Sequence, residues 1–451
     1  MRNKAKALGA LFIIPALLAS GCGNSGDSGQ AQGGQASGSP GSSASATASS
    51  APAEPVEIKL WVPWTTEGPM KAFNQIIEAF NQKYESENIS ATVEFTPDFQ
   101  QKLTTSFAGN AGPDLFIHGV GAMPGFADVG QLEDLSARVE TLSDKDDYLS
   151  SYLKLASFDG KVYGLPVAAD YNVLIYRKDF FEEAGAKVPT TWKEFEEAAA
   201  KLVRKDGNKI TRLAMDIPVG SGNRFILQQH YGFFLQNNGG DFLTGDYANS
   251  ALNTAQAKET LEWFSSLYEN DYVTVEGAGT PQGAQAVAAG TAAMQVGSLF
   301  QLMEIKLNQP EMLDKIGVAV PPAGPNGEGK APVFFTGPQV VMINKASAHK
   351  EAAWKLADFL AAKDSLTLLA EQLGSIPLRS SMGTEAYDSV PVLKEYLSLG
   401  EQGTMVTNPL TPKWVAVRDV LVKYLEETVY KHNPENTIVK ADEEINKLLA
   451  Q

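Results

Sequence analysis

The chain has 451 residues, of which 43% are hydrophobic and 20% charged, enough apolar material for a sizeable core. Its 53 acidic residues outnumber 37 basic ones, and the formal charge of −16 argues against nucleic acid or an anionic bilayer surface as a partner. A single cysteine excludes a disulfide framework, and the histidines (118, 230, 349, 432) are too scattered for H-E-x-x-H zinc spacing.

The first residues carry Arg2, Lys4 and Lys6 with no acid, and an apolar run follows from Ala7 to Ala19, broken by Gly9 and Pro15. That run falls short of the roughly 20 residues a membrane-spanning helix needs, and with its basic start it reads as a secretory signal peptide. It ends at Ala19-Ser20-Gly21-Cys22, which resembles the lipobox of bacterial lipoproteins, where small residues precede a cysteine that is diacylated and becomes the mature N-terminus. Ala19 departs from that pattern, which most often has leucine there. The resemblance implies a signal peptide at 1–21 and a lipid on Cys22; two acyl chains suffice for stable attachment. The alternative is a plain signal peptide with an incidental cysteine. Removing residues 1–21 takes away three positive charges and leaves −19. Residues 22–55 are then a Gly/Ser/Ala-rich tether that buries nothing, with an average reach of roughly 30 Å.

The remainder, from Val56, is large for one core and predicts two lobes. Val56–Val62 reads as a strand and Pro69–Tyr84 as a helix with Phe73, Ile76, Ile77 and Phe80 on one face. Strands follow at Ala91–Thr96 and Asp114–Ile117, helices at Thr191–Val203 and Ala255–Tyr268, and a helical section from Lys413 to Gln451. Such alternation predicts mostly parallel sheets with helices on both faces, and ligands on the loops beyond the strands' carboxyl ends. Those loops include "PWTTEG" (63–68) and "HGVG" (118–121). There is no internal repeat and no second apolar segment of spanning length.

From Asp159 the chain reads "DGKVYGLPVAADYNVLIYRKDFFEEAGAKVPTTWKEFEEAAAKL". This resembles the signature region of bacterial extracellular solute-binding proteins that feed sugars to ABC importers, the family of maltose-binding-protein-like lipoproteins. In that family "G-K-x-Y-G-x-P" leads into a crossover strand, "L-x-Y-R-K-D-x-F" follows, and "P-x-T-W-x-E" opens a helix. Three later segments agree: "AAGTAAMQVGSLF" (288–300), "FFTGPQVVMINKASAHKEAAWKLADFLAA" (334–362) and "GSIPLRSS" (374–381). The resemblance implies an α/β, periplasmic-binding-protein-like fold of type II, two α/β lobes joined by a multi-crossing hinge. The first lobe would hold 56–168 plus 338–380, the second 169–337 plus 381–451. Crossings would fall at 167–170, 335–341 and near Arg379.

Sugars present hydroxyls around apolar C–H faces, so a site for them needs aromatic faces plus carboxylates, amides or arginine. Trp64 sits on the first rim beside Thr65 and Glu67 and is read as a ligand contact, its alternative being a loop tryptophan packed on Trp61. Asp170 lies in the apolar run 165–175, where a lone acid is costly to bury without a partner; the family commonly places a ligand-reading acid there. Tyr171 would stack or hydrogen-bond, or fill a core. Ser298 follows the "AAM" strand, and Phe300 matches a stacking aromatic of the family. Thr336 and Gly337 stand at the return crossing. Trp414 matches a late stacking platform or is the core face of a helix with Val417 and Leu421. Arg418, Arg379 and His118 complete the candidates, while Asp114 in "GPDLF" reads as structural.

A glycoside hydrolase would need two carboxylates across a cleft, for which Glu67 and Asp170 are the available pair; no G-x-S-x-G elbow occurs. A surface-interaction lipoprotein should expose apolar patches or repeats. A binder of another solute, a polyamine above all, would use acids and aromatics. The sequence is best accounted for by a membrane-tethered carbohydrate binder handing its ligand to an ABC permease. It would work as a monomer, without catalysis, cofactor or metal, on a Gram-positive surface or in a periplasm.

Overall fold

A computed structural model describes residues 54–451 except 97–98, 110, 218, 220–224 and 281–284. The expected signal peptide, Cys22 and almost all of the expected tether lie outside the described residues.

The strand Val56–Val62 pairs in parallel with Ile89–Phe95 on one side and with Leu115–Gly119 on the other. Gln339–Ile343 then joins antiparallel to Leu115–Gly119, and Gly164–Ala168 antiparallel to that. Alternation along these strands separates two cores. Leu60, Val62, Leu115, Ile117, Val341 and Ile343 face one layer, and Trp61, Phe116, Val340 and Met342 the other. Leu115–Gly119, Gly164–Ala168 and Gln339–Ile343, covered on both faces, read as nearly continuous apolar runs, whereas the outer strand Ile89–Phe95 alternates with exposed Ser90, Thr92 and Glu94. The helix Glu67–Tyr84 buries Phe73, Ile76, Ile77 and Phe80, the face its period predicts.

A second five-stranded sheet has the order Ile316–Ala319, Val173–Arg177, Ala292–Gly297, Lys209–Asp216, Arg204–Asp206. Its own core carries Trp192, Phe195, Phe234, Phe264 and Trp414. The "PTTWKE" stretch works as a helix start: Thr191 Oγ1 accepts from the Glu194 N–H at 3.3 Å, and the Glu194 carboxylate reaches back to the Thr190 N–H at 2.8 Å. In "DGKVYG", Asp159 (φ 48°) and Gly160 (φ 73°) both take the left-handed turn that joins Ser157–Phe158 to Lys161–Val162.

The expectation of mostly parallel sheets does not hold. Only one pairing in the second sheet is parallel, between Ala292–Gly297 and Lys209–Asp216, and the first sheet is half antiparallel. The reason is the passage between sheets: Gln339–Ile343 enters the first sheet from the second, so it runs against its neighbours. A local hydrophobic pattern cannot report that direction.

Candidate functional site

Three chain segments pass between the sheets, and they are tied together. In the first, 169–172, the Asn172 N–H donates to Phe335 O at 2.9 Å, and Tyr171 forms a bridge with Thr336. The second, 336–338, answers with Thr336 Oγ1 donating to the Asp170 backbone O at 2.6 Å. The third follows the helix Lys363–Leu373: the Ala169 N–H donates to Ser375 Oγ at 2.9 Å and the Ile376 N–H to Ala169 O at 2.8 Å. Asp170 thus lies at the junction of all three.

Its carboxylate accepts from Ser298 Oγ and from the Phe300 N–H. Ser298 caps the helix Leu299–Asn308 in a capping box with Gln301, whose Oε1 accepts from the Ser298 N–H at 2.7 Å. Burial pushes the Asp170 pKa up to about 6, and the hydrogen bonds from Ser298 and Phe300 pull it back only in part. Among the described residues, the interactions that set this value include no cation. The charge raises the pKa of neighbouring Tyr152, already pushed up to about 12 chiefly by burial. A carboxylate has about four lone-pair sites, so two donors leave it able to accept more.

The same helix meets the first rim. Thr66 hydrogen-bonds the Glu304 carboxylate, and a Cβ on Gly68 would lie 3.1 Å from Leu307 Cδ1. Trp64 is half-buried and stacks on Phe73, not Trp61, with centroids 5.5 Å apart and planes at 18°. Thr65 and Glu67 are exposed and Phe300 is half-buried. A Cβ on Gly337 would meet nothing within 4 Å, so the backbone at that crossing faces open space.

A second group gathers around the turn Val120–Ala122. His118 Nε2 contacts Gln100 Oε1 at 2.6 Å, and burial pushes its pKa down to about 4, with the Arg418 charge adding to the fall. At neutral pH this imidazole is therefore an uncharged hydrogen-bonding group. Arg418 is mostly buried and lies 3.3 Å from the Asp419 carboxylate, and desolvation lowers its pKa. The first group is linked to this one through Gln339, whose Nε2 donates to Gly337 O at 3.1 Å and which pairs with Gly119.

Several sequence candidates are corrected. Trp414 is 1% exposed, packed against Phe242 and the Gly121 turn, so its core alternative is the one realised and neither ring face is open. Tyr171 is 2% exposed; it stacks on Tyr396 at 4.4 Å and its hydroxyl is engaged by Tyr396 O and the Gly400 N–H. Arg379, also 2% exposed, is spent on Asp144, Asp147, Ala361 O and the face of Tyr148. Thr336 uses its hydroxyl on Asp170 O and its N–H on Val406 O, and the Ser298 hydroxyl is given to Asp170, so these two position the acid. Asp114 is structural as expected, accepting from the Lys59 N–H and Ser347 Oγ. Gln100 and Gln339 were not anticipated. Gln339 was findable as the polar residue opening the return strand, but nothing in "DFQQK" marks Gln100.

Two pockets, of about 330 Å³ beside Gln236 and Lys330 and about 250 Å³ beside Glu371 and Met382, involve none of these candidates. Among the described residues, no cluster of three His, Cys, Asp or Glu is arranged to hold a metal, and no helix is long and apolar enough to cross a membrane.

The structure is thus two α/β lobes tied by three crossings, with a carboxylate at their junction. Residues 64–366 match the bacterial extracellular solute-binding protein family, well over half of the chain, and the chain belongs to that family. A putative binding protein of Brucella abortus is 28% identical over 354 residues, covering 76% of this chain and 82% of that one. The diacetylchitobiose-binding protein of Streptomyces coelicolor is 27% identical over 358 residues, 78% and 80% respectively. Among solved structures, an ABC-transporter solute-binding protein of Thermotoga lettingae bound with α-D-tagatose superposes with a TM-score of 0.76 at 24% identity, covering 87% of this chain and 100% of its own. The fold is accordingly the two-lobed, type II solute-binding fold.

Proposed function

We propose that the chain binds a mono- or oligosaccharide between its lobes, closes on it, and passes it unchanged to the permease of an ABC importer. The observation that carries this reading is Asp170: a carboxylate at the junction of three crossings, held by two donors and, among the described residues, no cation, with acceptor capacity left for hydroxyls. Half-buried Trp64 and Phe300 on the two adjoining segments supply apolar faces for a ring. Relatives named for diacetylchitobiose and arabinooligosaccharides, and a structural neighbour bound with tagatose, point the same way. Contacts made from both lobes favour the closed state. In this reading the first lobe is 56–168 plus 338–380 and the second 169–337 plus 381–451. The protein acts as a monomer, carried by a diacylated Cys22 and the tether 22–55 on the outer face of the cell membrane, more in keeping with a Gram-positive surface than a periplasm.

The test is tryptophan fluorescence of the Cys22→Ser mature chain titrated with mono- and oligosaccharides and with spermidine. A saturable change with one sugar class, the sugar recovered intact, supports the reading. A flat response to every sugar with a shift on spermidine replaces it with a polyamine binder.

A further inference from the structure

The strand Thr404–Val406 runs parallel to Val333–Phe335, and the Thr336 N–H donates to Val406 O at 2.7 Å, so the residues after Val406 emerge beside the second crossing. Those residues are Thr407 and Asn408. Thr407 Oγ1 and Asn408 Oδ1 are both buried and without a hydrogen-bond partner among the described residues. Asn408 also faces the other lobe: a Cβ on Gly121 would lie 3.0 Å from its Cβ and 3.2 Å from its Nδ2. The side chains as a whole are only half-buried, so these two atoms are orphaned at an edge and not deep in a core.

A buried polar atom without a partner is destabilising, and such atoms are rare enough that each calls for a reason. Two adjacent ones, on a segment that touches both the second crossing and the Gly121 turn, have a direct reason. We infer that Thr407 and Asn408 are specificity-determining ligand contacts, taking hydroxyls of a polyhydroxylated ligand at the edge of the second crossing. This rests on the sugar-binding reading and extends it to a segment none of the sequence motifs marked. In the absence of ligand the two groups are a stored penalty; with ligand the penalty is relieved. Stability and affinity should then respond to the same change in opposite directions.

Thr407→Val and Asn408→Leu keep shape and remove the polar atoms. The mature Cys22→Ser chain, wild type and variants, is followed by thermal unfolding without sugar and by calorimetric titration with whichever sugar saturates the wild type. The inference expects each variant's melting temperature to hold or rise while its affinity falls about tenfold or more. Affinity within twofold of wild type overturns it. A lowered melting temperature overturns it too, since that marks the atoms as partnered by water in a structural role. A wild type that binds no sugar sinks the proposed function first, and this inference with it; a wild type that binds alongside unaffected variants sinks the inference alone.

Discussion

Asp170 and Arg379 are both charged residues set where the chain passes between the sheets, and the structure treats them in opposite ways. Arg379 meets Asp144 at 2.6 Å, Asp147 at 3.5 Å, Ala361 O at 2.9 Å and the Tyr148 ring at 3.8 Å, leaving only Nη2 without a partner. Among the described residues Asp170 has Ser298 and one backbone amide and no cation, and its pKa is raised by burial to about 6. A compensated charge of this kind holds the third crossing in place. An under-compensated one is costly while empty, and tolerable where a ligand completes it. The difference lies in partners, and it separates a residue spent on structure from the one we propose for the ligand, where sequence position treats them alike.

The largest effect expected from this contrast is Arg379→Met. Asp144 and Asp147 are partly exposed, so the cost comes from the several hydrogen bonds and the packing that the buried guanidinium makes, roughly 3 kcal/mol in urea unfolding, while the fraction that remains folded binds sugar as wild type does. A sugar affinity that collapses with Arg379 intact in fold would place it in the site after all. The two tryptophans sharpen the same point. Trp414→Ala empties a core position and should cost about 3–5 kcal/mol. Trp64→Ala, at a half-buried ring, should cost far less stability and instead weaken sugar binding. Asp170→Asn gives a smaller, pH-dependent effect. The folded pKa lies above the unfolded value near 3.8, so wild-type stability from this group is present below about pH 4 and lost as pH rises through 6. Relative to wild type, Asp170→Asn should therefore gain stability between pH 4 and 7, on the order of 1–3 kcal/mol. A difference flat across that window would mean the carboxylate is better solvated or paired than its surroundings indicate.

What the sequence revealed follows from range. Val56–Val62 and the Glu67–Tyr84 helix face were legible because their periods are local, and Thr191 with Glu194 announced a cap within four residues. The crossings near 170 and 336 were reached through family motifs. Strand direction was not legible, because Gln339–Ile343 runs as it does only by returning from the other sheet. Nor was the fate of Tyr171, Trp414 and Arg379. Whether a ring or guanidinium meets a ligand or a neighbour is settled by partners some 230 residues away, such as Asp144 for Arg379. Thr407 and Asn408 escaped because an orphaned atom leaves no trace in composition or spacing.

The most direct measurement of the central claim, that Asp170 is the group the ligand completes, is calorimetric titration of sugar at pH 6 in buffers of different ionisation heat. Hydroxyls donate best to the ionised carboxylate, so binding should lower its pKa and release protons. Affinity should also weaken as pH falls below about 6, and both effects should vanish in Asp170→Asn together with about 10–100-fold in affinity. Wild-type binding with no proton release, and an Asp170→Asn variant of undiminished affinity, would contradict the account.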